Sequence, residues 1–231
     1  MDSNVVAALI GLVSGLVGAG IALYGQMRLA NLQARREAEA VLAKFREPLL
    51  GAAYELQARI YNIAQLGFIG KYVVAGDEAQ QTYGVENTLY VIAQYFGWSE
   101  ILRREIQFLS FSDSTRTRGV AQHQRKVVEL FQSDDPALGR PFLVWRGEQR
   151  AIGELMIDAA ADQVHCLGYA SFTGRREPEF RRWLDRLEAD IHAIAAGPNR
   201  RLVELQHALV DLVRELDPQG LRYSDDVLGK V

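Results

Sequence analysis

The sequence predicts an all-α chain: an N-terminal transmembrane helix that continues into a stalk, then a multi-helix bundle ending in an antiparallel helical hairpin. Three observations carry this. An uncharged apolar run opens the chain, apolar residues recur at three-and-four spacing through most of the remainder, and no pair of alternating strand patterns flanks an Asn-Gly turn. The expected organisation is a single transmembrane anchor over 1–26, a helical stalk over 27–47, a helical domain over 48–217 and a loose tail over 218–231.

From Val5 to Met27 there is no charged residue, and the stretch Val5 to Tyr24 is about 20 residues, the length that crosses a hydrocarbon core. Ten of those residues are Val, Leu or Ile, and Ser14 is the one with a hydroxyl buried in the run. A cleaved signal peptide would want a positive leader, but the chain begins Met-Asp-Ser-Asn. A buried core helix would show a polar face, and this run has none. Arg28, Arg35, Arg36, Lys44 and Arg46 follow the span, so the positive-inside bias places the N-terminus outside and the domain in the cytoplasm of a single-pass cell (inner) membrane protein.

Within the span, Ala8, Gly11, Gly15, Gly18, Ala22 and Gly25 fill successive a and d positions of a heptad frame that Leu29 and Leu32 continue. Ala7, Gly11, Gly15 and Ala19 form a second row with a period of four. Small residues in register let two helix backbones approach within a bilayer, so a homo-oligomer is expected through this transmembrane interface.

Residues 26–47 are rich in Ala, Arg, Glu, Gln and Leu, and form the stalk until Pro48 ends or redirects it. A new helix then places Leu49, Ala53, Leu56, Ile60 and Ile63 on one face and turns Glu55, Arg59 and Asn62 toward water or a partner. Val85, Leu89, Ile92, Phe96, Ile106 and Leu109 mark a long helix whose apolar middle, Leu89 to Trp98, is too short for a bilayer and reads as core. Val120, Val127 and Phe131 mark a helix over 117–132, and helical pattern returns over 142–160 after a turn-rich loop. His165 to Phe172 is the one short run that fits an extended conformation.

The last third holds two amphipathic stripes: Phe180, Leu184, Leu187, Ile191 and Ile194, then Leu202, Leu205, Leu209, Leu212 and Leu216. The short connection between them predicts that they face one another as a hairpin, with Asp217-Pro218 closing the second.

Net charge is −3 with 26 basic residues, of which 22 are Arg and scattered. No basic excess points to nucleic acid. One cysteine, Cys166, rules out an intrachain disulfide and fits a reducing compartment. Glu204 and His207, like Glu188 and His192, resemble in spacing the pairs of helical metal sites, but both lie off the apolar stripes and read as solvated. No metal and no cofactor is expected, and His165 beside Cys166 lacks the frame of a catalytic nucleophile. Trp98, Trp145 and Trp183 read as core plugs.

Arg146 and Arg150 are four apart on one helix face, an unfavourable like-charge spacing that wants acidic compensation. Pairing of Arg150 with Glu154 inside a network of ion pairs is one reading. The other is a small anionic ligand held by Arg146 and Arg150 with Arg103 or Arg104. There is no glycine-rich phosphate loop. The sequence therefore reads as a membrane-anchored binding and assembly module for an unknown protein or small anion, rather than an enzyme. A pore-forming effector gated by its domain, or a hydrolase with an unfamiliar helical site, are the alternatives.

Overall fold

The computed structural model describes the backbone of residues 3–107, 115–158, 164–194 and 199–231, and the side chains of these residues except 3–17, 35, 38, 106, 107, 115–117 and 178. The chain is all-helical, and no strand occurs among the described residues. Ile157 and Cys166 form an isolated antiparallel bridge, and the run that begins at His165 turns helical from Tyr169.

Helix α1 runs unbroken over Ser3–Ala64, 62 residues and, at about 1.5 Å per residue, some 93 Å. Residues 18–40 are exposed apart from partly covered Gly25 and Ala34 (35 and 38 undescribed), and body packing begins at Leu42 and Phe45. The expectation that Pro48 ends the helix fails, because Pro48 lies inside it. A proline interior to a helix costs about 3 kcal/mol. Burial of Leu42, Phe45, Leu49 and Leu50 on both sides offsets that penalty. Arg46 Nε also donates to the Leu216 carbonyl at 2.5 Å, tying the segment to a neighbouring helix.

A π-helical turn, Ile69–Val74, leads into α2, Glu78–Gln107. Val85, Leu89, Ile92 and Phe96 are buried as their spacing predicts, whereas Ile106 and Leu109 fall outside the residues whose side chains are described. Helix α3 is Thr115–Gln132 and α4 is Arg146–Leu155. The helix expected over 142–160 is thus shorter. Phe142 is left-handed at φ 63 and Trp145 is extended, and Glu148 accepts the Trp145 N–H at 2.7 Å, which fixes the start of α4. Helix α4 lies so close to α2 that a Cβ on Gly153 would stand 2.6 Å from the Phe96 carbonyl oxygen.

Helix α5, Tyr169–Arg175, passes through a π turn, Arg176–Phe180, into α6, Arg181–Ala193; α7 is Arg200–Leu216. Both stripes of the last third are buried from Phe180 to Ile191 and from Leu202 to Leu216. They do not face each other, however. Helix α7 packs against α1 and α3, and α6 against α2, α4 and the first π turn, so the expected hairpin is two consecutive helices with different partners. The ten buried residues of α7 explain this: they spread over about half of its girth, wider than one neighbouring helix covers, so the helix needs more than one partner.

The tail is not loose. Tyr223 stacks on Tyr54 of α1 with ring centroids 3.7 Å apart, Leu228 is buried, and Gln206 of α7 donates to the Gly229 carbonyl at 2.8 Å. Asp217, beyond α7, accepts the N–H groups of Leu221, Arg222 and Tyr223 and so turns the chain back onto the body.

Among the described residues no helix is long and apolar enough to cross a membrane. Most of the Val5–Tyr24 run, with Ala8, Gly11 and Gly15, falls where side chains lie outside the described residues. Ala22 is exposed, and a Cβ on Gly18 or Gly25 would meet nothing within 4 Å.

Candidate functional site

Two of the four arginines read as an anion site converge on one carboxylate. Arg103 and Arg104 both donate to the buried carboxylate of Glu100, at 2.6–2.7 Å and 2.8 Å. Burial works against the Glu100 charge, but these donors outweigh it and hold its pKa below the usual carboxylate range. Arg104 also takes Glu154 at 3.1 Å, the carboxylate expected for Arg150. Glu148 faces Arg186 of α6 at 3.7 Å. Arg146 and Arg150 stay exposed on α4 with no ion pair among the described residues.

Two of the Glu and His candidates find structural partners. Glu188 pairs with Arg176, and His207 Nε2 lies 2.8 Å from the Val231 carbonyl. No group of three metal-ligating side chains occurs among the described residues. Burial pushes the Cys166 thiol up to about 12, so it stays protonated. Trp98 and Trp183 are half-buried against the core, but Trp145 is 46% exposed and fills nothing.

The structure instead assembles a cleft at the far end of α1, where that helix, the π turn and the start of α2 meet. It encloses about 480 Å³ and is lined by Arg59, Asn62, Leu66, Phe68, Lys71, Tyr72, Gln80 and Tyr83. Arg59 lies at the edge of the buried stripe of α1, next to Leu56 and Ile63, and Asn62 lies further round; both are partly buried rather than turned fully to water. The π turn supplies Lys71 and Tyr72, and such turns recur at functional positions because they widen a helix locally and re-aim its side chains. Gly84 lets α2 close on this turn, since a Cβ there would stand 2.9 Å from Val73 Cγ2.

Arg59 is the centre of the cleft. Its guanidinium carbon stands 4.1 Å over the centre of the Phe68 ring, and Nη2 donates to Asn87 Oδ1. Its Nη1 is sealed from solvent without a hydrogen-bond partner, and no carboxylate pairs with it among the described residues. On its inner side it borders a void of about 10 Å³ walled by Leu56, Ile60 and Ile92. Burial pulls the Arg59 pKa down, with Tyr83 and Tyr169 opposing. The cation remains charged, because arginine's ordinary value is so high. Two cations and no acid thus line this cleft. A shallower groove beyond Tyr83 carries Asp77, Glu78 and Glu86 with Tyr169.

Phe68 and Asn87 recover part of the desolvation cost of this half-buried guanidinium but supply no counter-charge, so the arrangement favours an anionic group. Helical spacing turns Arg59 and Asn62 toward water or a partner without showing what stands beside them, because Phe68, Lys71 and Tyr72 come from a turn with no periodic signal. Comparison with family models, curated proteins and solved structures gives no significant match to this chain.

Proposed function

We propose that the chain is a single-pass membrane-anchored binding and assembly module whose helical body takes a small anionic ligand in the Arg59 cleft. The observation that carries this is Arg59 itself, partly desolvated, without a carboxylate, and open to a cleft it shares with Lys71. The anchor rests on the uncharged run Val5 to Tyr24 and the basic residues behind it, which favour an inner-membrane span with the body in the cytoplasm. Assembly rests on the small-residue frame Ala8, Gly11, Gly15, Gly18, Ala22 and Gly25. Because α1 is continuous from the anchor to Arg59, roughly 50 Å separates Tyr24 from the cleft along one rigid element. Ligand occupancy at one end and helix association at the other share that element, which gives binding a route to assembly.

The test uses the full-length chain in a maltoside detergent. Inorganic phosphate should raise the melting temperature of the wild type and not of Arg59→Ala, since a ligand bound only by the folded state stabilises by mass action. Equal stabilisation of both would mean that the salt acts on the whole surface, and the cleft reading would fall.

A further inference from the structure

We propose that the ligand of this cleft is a small aromatic anion, a planar ring carrying one phosphate or carboxylate, a reading that rests on the Arg59 anion site and narrows it. Size is the first ground. The cleft of about 480 Å³ lies within the range of pockets that take drug-sized molecules, roughly 300–1,000 Å³, whereas an inorganic oxyanion has about five heavy atoms and leaves most of it unfilled.

The lining is the second ground. Around the two cations stand Leu66, Tyr72 and Tyr83, which are 53%, 43% and 53% exposed. Surface apolar residues grouped at the mouth of a cleft, rather than scattered singly, mark a surface that something covers. Tyr72 and Tyr83 lie on different elements, the π turn and α2, and both border the same space. Their ring faces suit stacking by a flat ligand, which is tolerant of the ring's identity.

Division of labour is the third. Phe68 covers one face of the Arg59 guanidinium, Nη1 is sealed and Nη2 is held by Asn87, so Arg59 acts on a ligand through its charge at short range, and the exposed Lys71 is the direct donor. Lys71 adds a second, mobile charge from the π turn. The amides of Asn62 and Gln80 complete the wall, and each can donate to or accept from polar atoms on a ring. An anionic group at Arg59 and Lys71 thus leaves its attached ring among Leu66, Tyr72 and Tyr83.

Binding of phenyl phosphate, inorganic phosphate and benzyl alcohol to the full-length chain in maltoside detergent, measured by calorimetric titration, tests this. Stacking of one ring contributes about 1–3 kcal/mol, so phenyl phosphate should bind at least about fivefold more tightly than phosphate. Tyr72→Ala should erase that ratio and leave phosphate affinity in place. Lys71→Gln should weaken both anions and leave benzyl alcohol unmoved. Both positions are exposed, so the variants keep the fold, which circular dichroism checks. Equal affinity for phosphate and phenyl phosphate would overturn the aromatic inference while the anion site stood. Benzyl alcohol binding as tightly as phenyl phosphate would overturn both.

Discussion

Replacing Arg201 by Met is expected to cost about 3–5 kcal/mol, although no sequence signal distinguishes it from the other 21 arginines. The side chain is 0% exposed. From the first turn of α7 it reaches the end of α3, where Nη1 donates to the carbonyls of Leu130 and, at 3.3 Å, Phe131. Nη2 donates to the carbonyls of Ser133 at 2.8 Å and Gly139 at 2.6 Å. These oxygens lie at or just past a helix C-terminus, where the last carbonyls have no partner in the helix and the dipole favours a cation. Met keeps most of the apolar stem but no donor. Phe131 retains the Val144 N–H at 2.9 Å and the exposed Gly139 can turn to water, so the carbonyls of Leu130 and Ser133 are left unpaired, at about 1–3 kcal/mol each, with the lost cation at the helix end added to this. Removing a buried cation recovers part of this, since burial already pulls the Arg201 pKa down.

At a urea slope of about 2 kcal/mol/M, the midpoint should fall by about 1.5–2.5 M with the slope unchanged. Arg201→Lys should fall less, because an ammonium keeps a cation and three donors at the same helix end. A loss under about 1 kcal/mol for Met, or a larger loss for Lys than for Met, would refute the view that this guanidinium is the cap of α3.

Two further outcomes follow from buried ionisable groups. Burial disfavours the Asp217 carboxylate, but the N–H groups of Arg222, Tyr223 and Leu221, with Arg46, outweigh it and hold the pKa below the usual value. Its stabilising effect is therefore present above about pH 4 and is lost as pH falls below that toward its folded pKa. In acid titrations of stability Asp217→Asn should flatten the limb below about pH 4 and release the tail to protease; an unchanged limb would count against this. With its thiol pushed up to about 12, Cys166 should resist iodoacetamide at pH 8 in the native chain and react once urea unfolds it. Rapid native labelling would show that it is not enclosed.

Local pattern determined the helices. Leu49, Ala53, Leu56, Ile60 and Ile63, and again Leu202, Leu205, Leu209, Leu212 and Leu216, are buried because three-and-four spacing puts them on one face whatever lies opposite. The all-helical class followed from the same period, whereas Arg59, expected to face water or a partner, is half-buried at the edge of the core face. What lies opposite was decided only in three dimensions. Periodicity says that a face is covered, and it carries no information about which helix covers it. Hence α7 left its sequence neighbour α6 for α1 and α3. Pro48 stayed inside a helix because packing of Leu42, Phe45, Leu49 and Leu50 outweighed a local penalty of similar size. The tail docked through Tyr223 and Leu228, single contacts with no period at all. The Arg59 cleft depends on the same kind of information. Lys71 and Tyr72 stand 12 and 13 positions from Arg59 in a turn that repeats nothing, and only the return of the chain into α2 brings Tyr83 to close the wall. A charge without a partner is visible only when every neighbour is in place, because desolvation depends on all surrounding atoms and not on those adjacent in sequence.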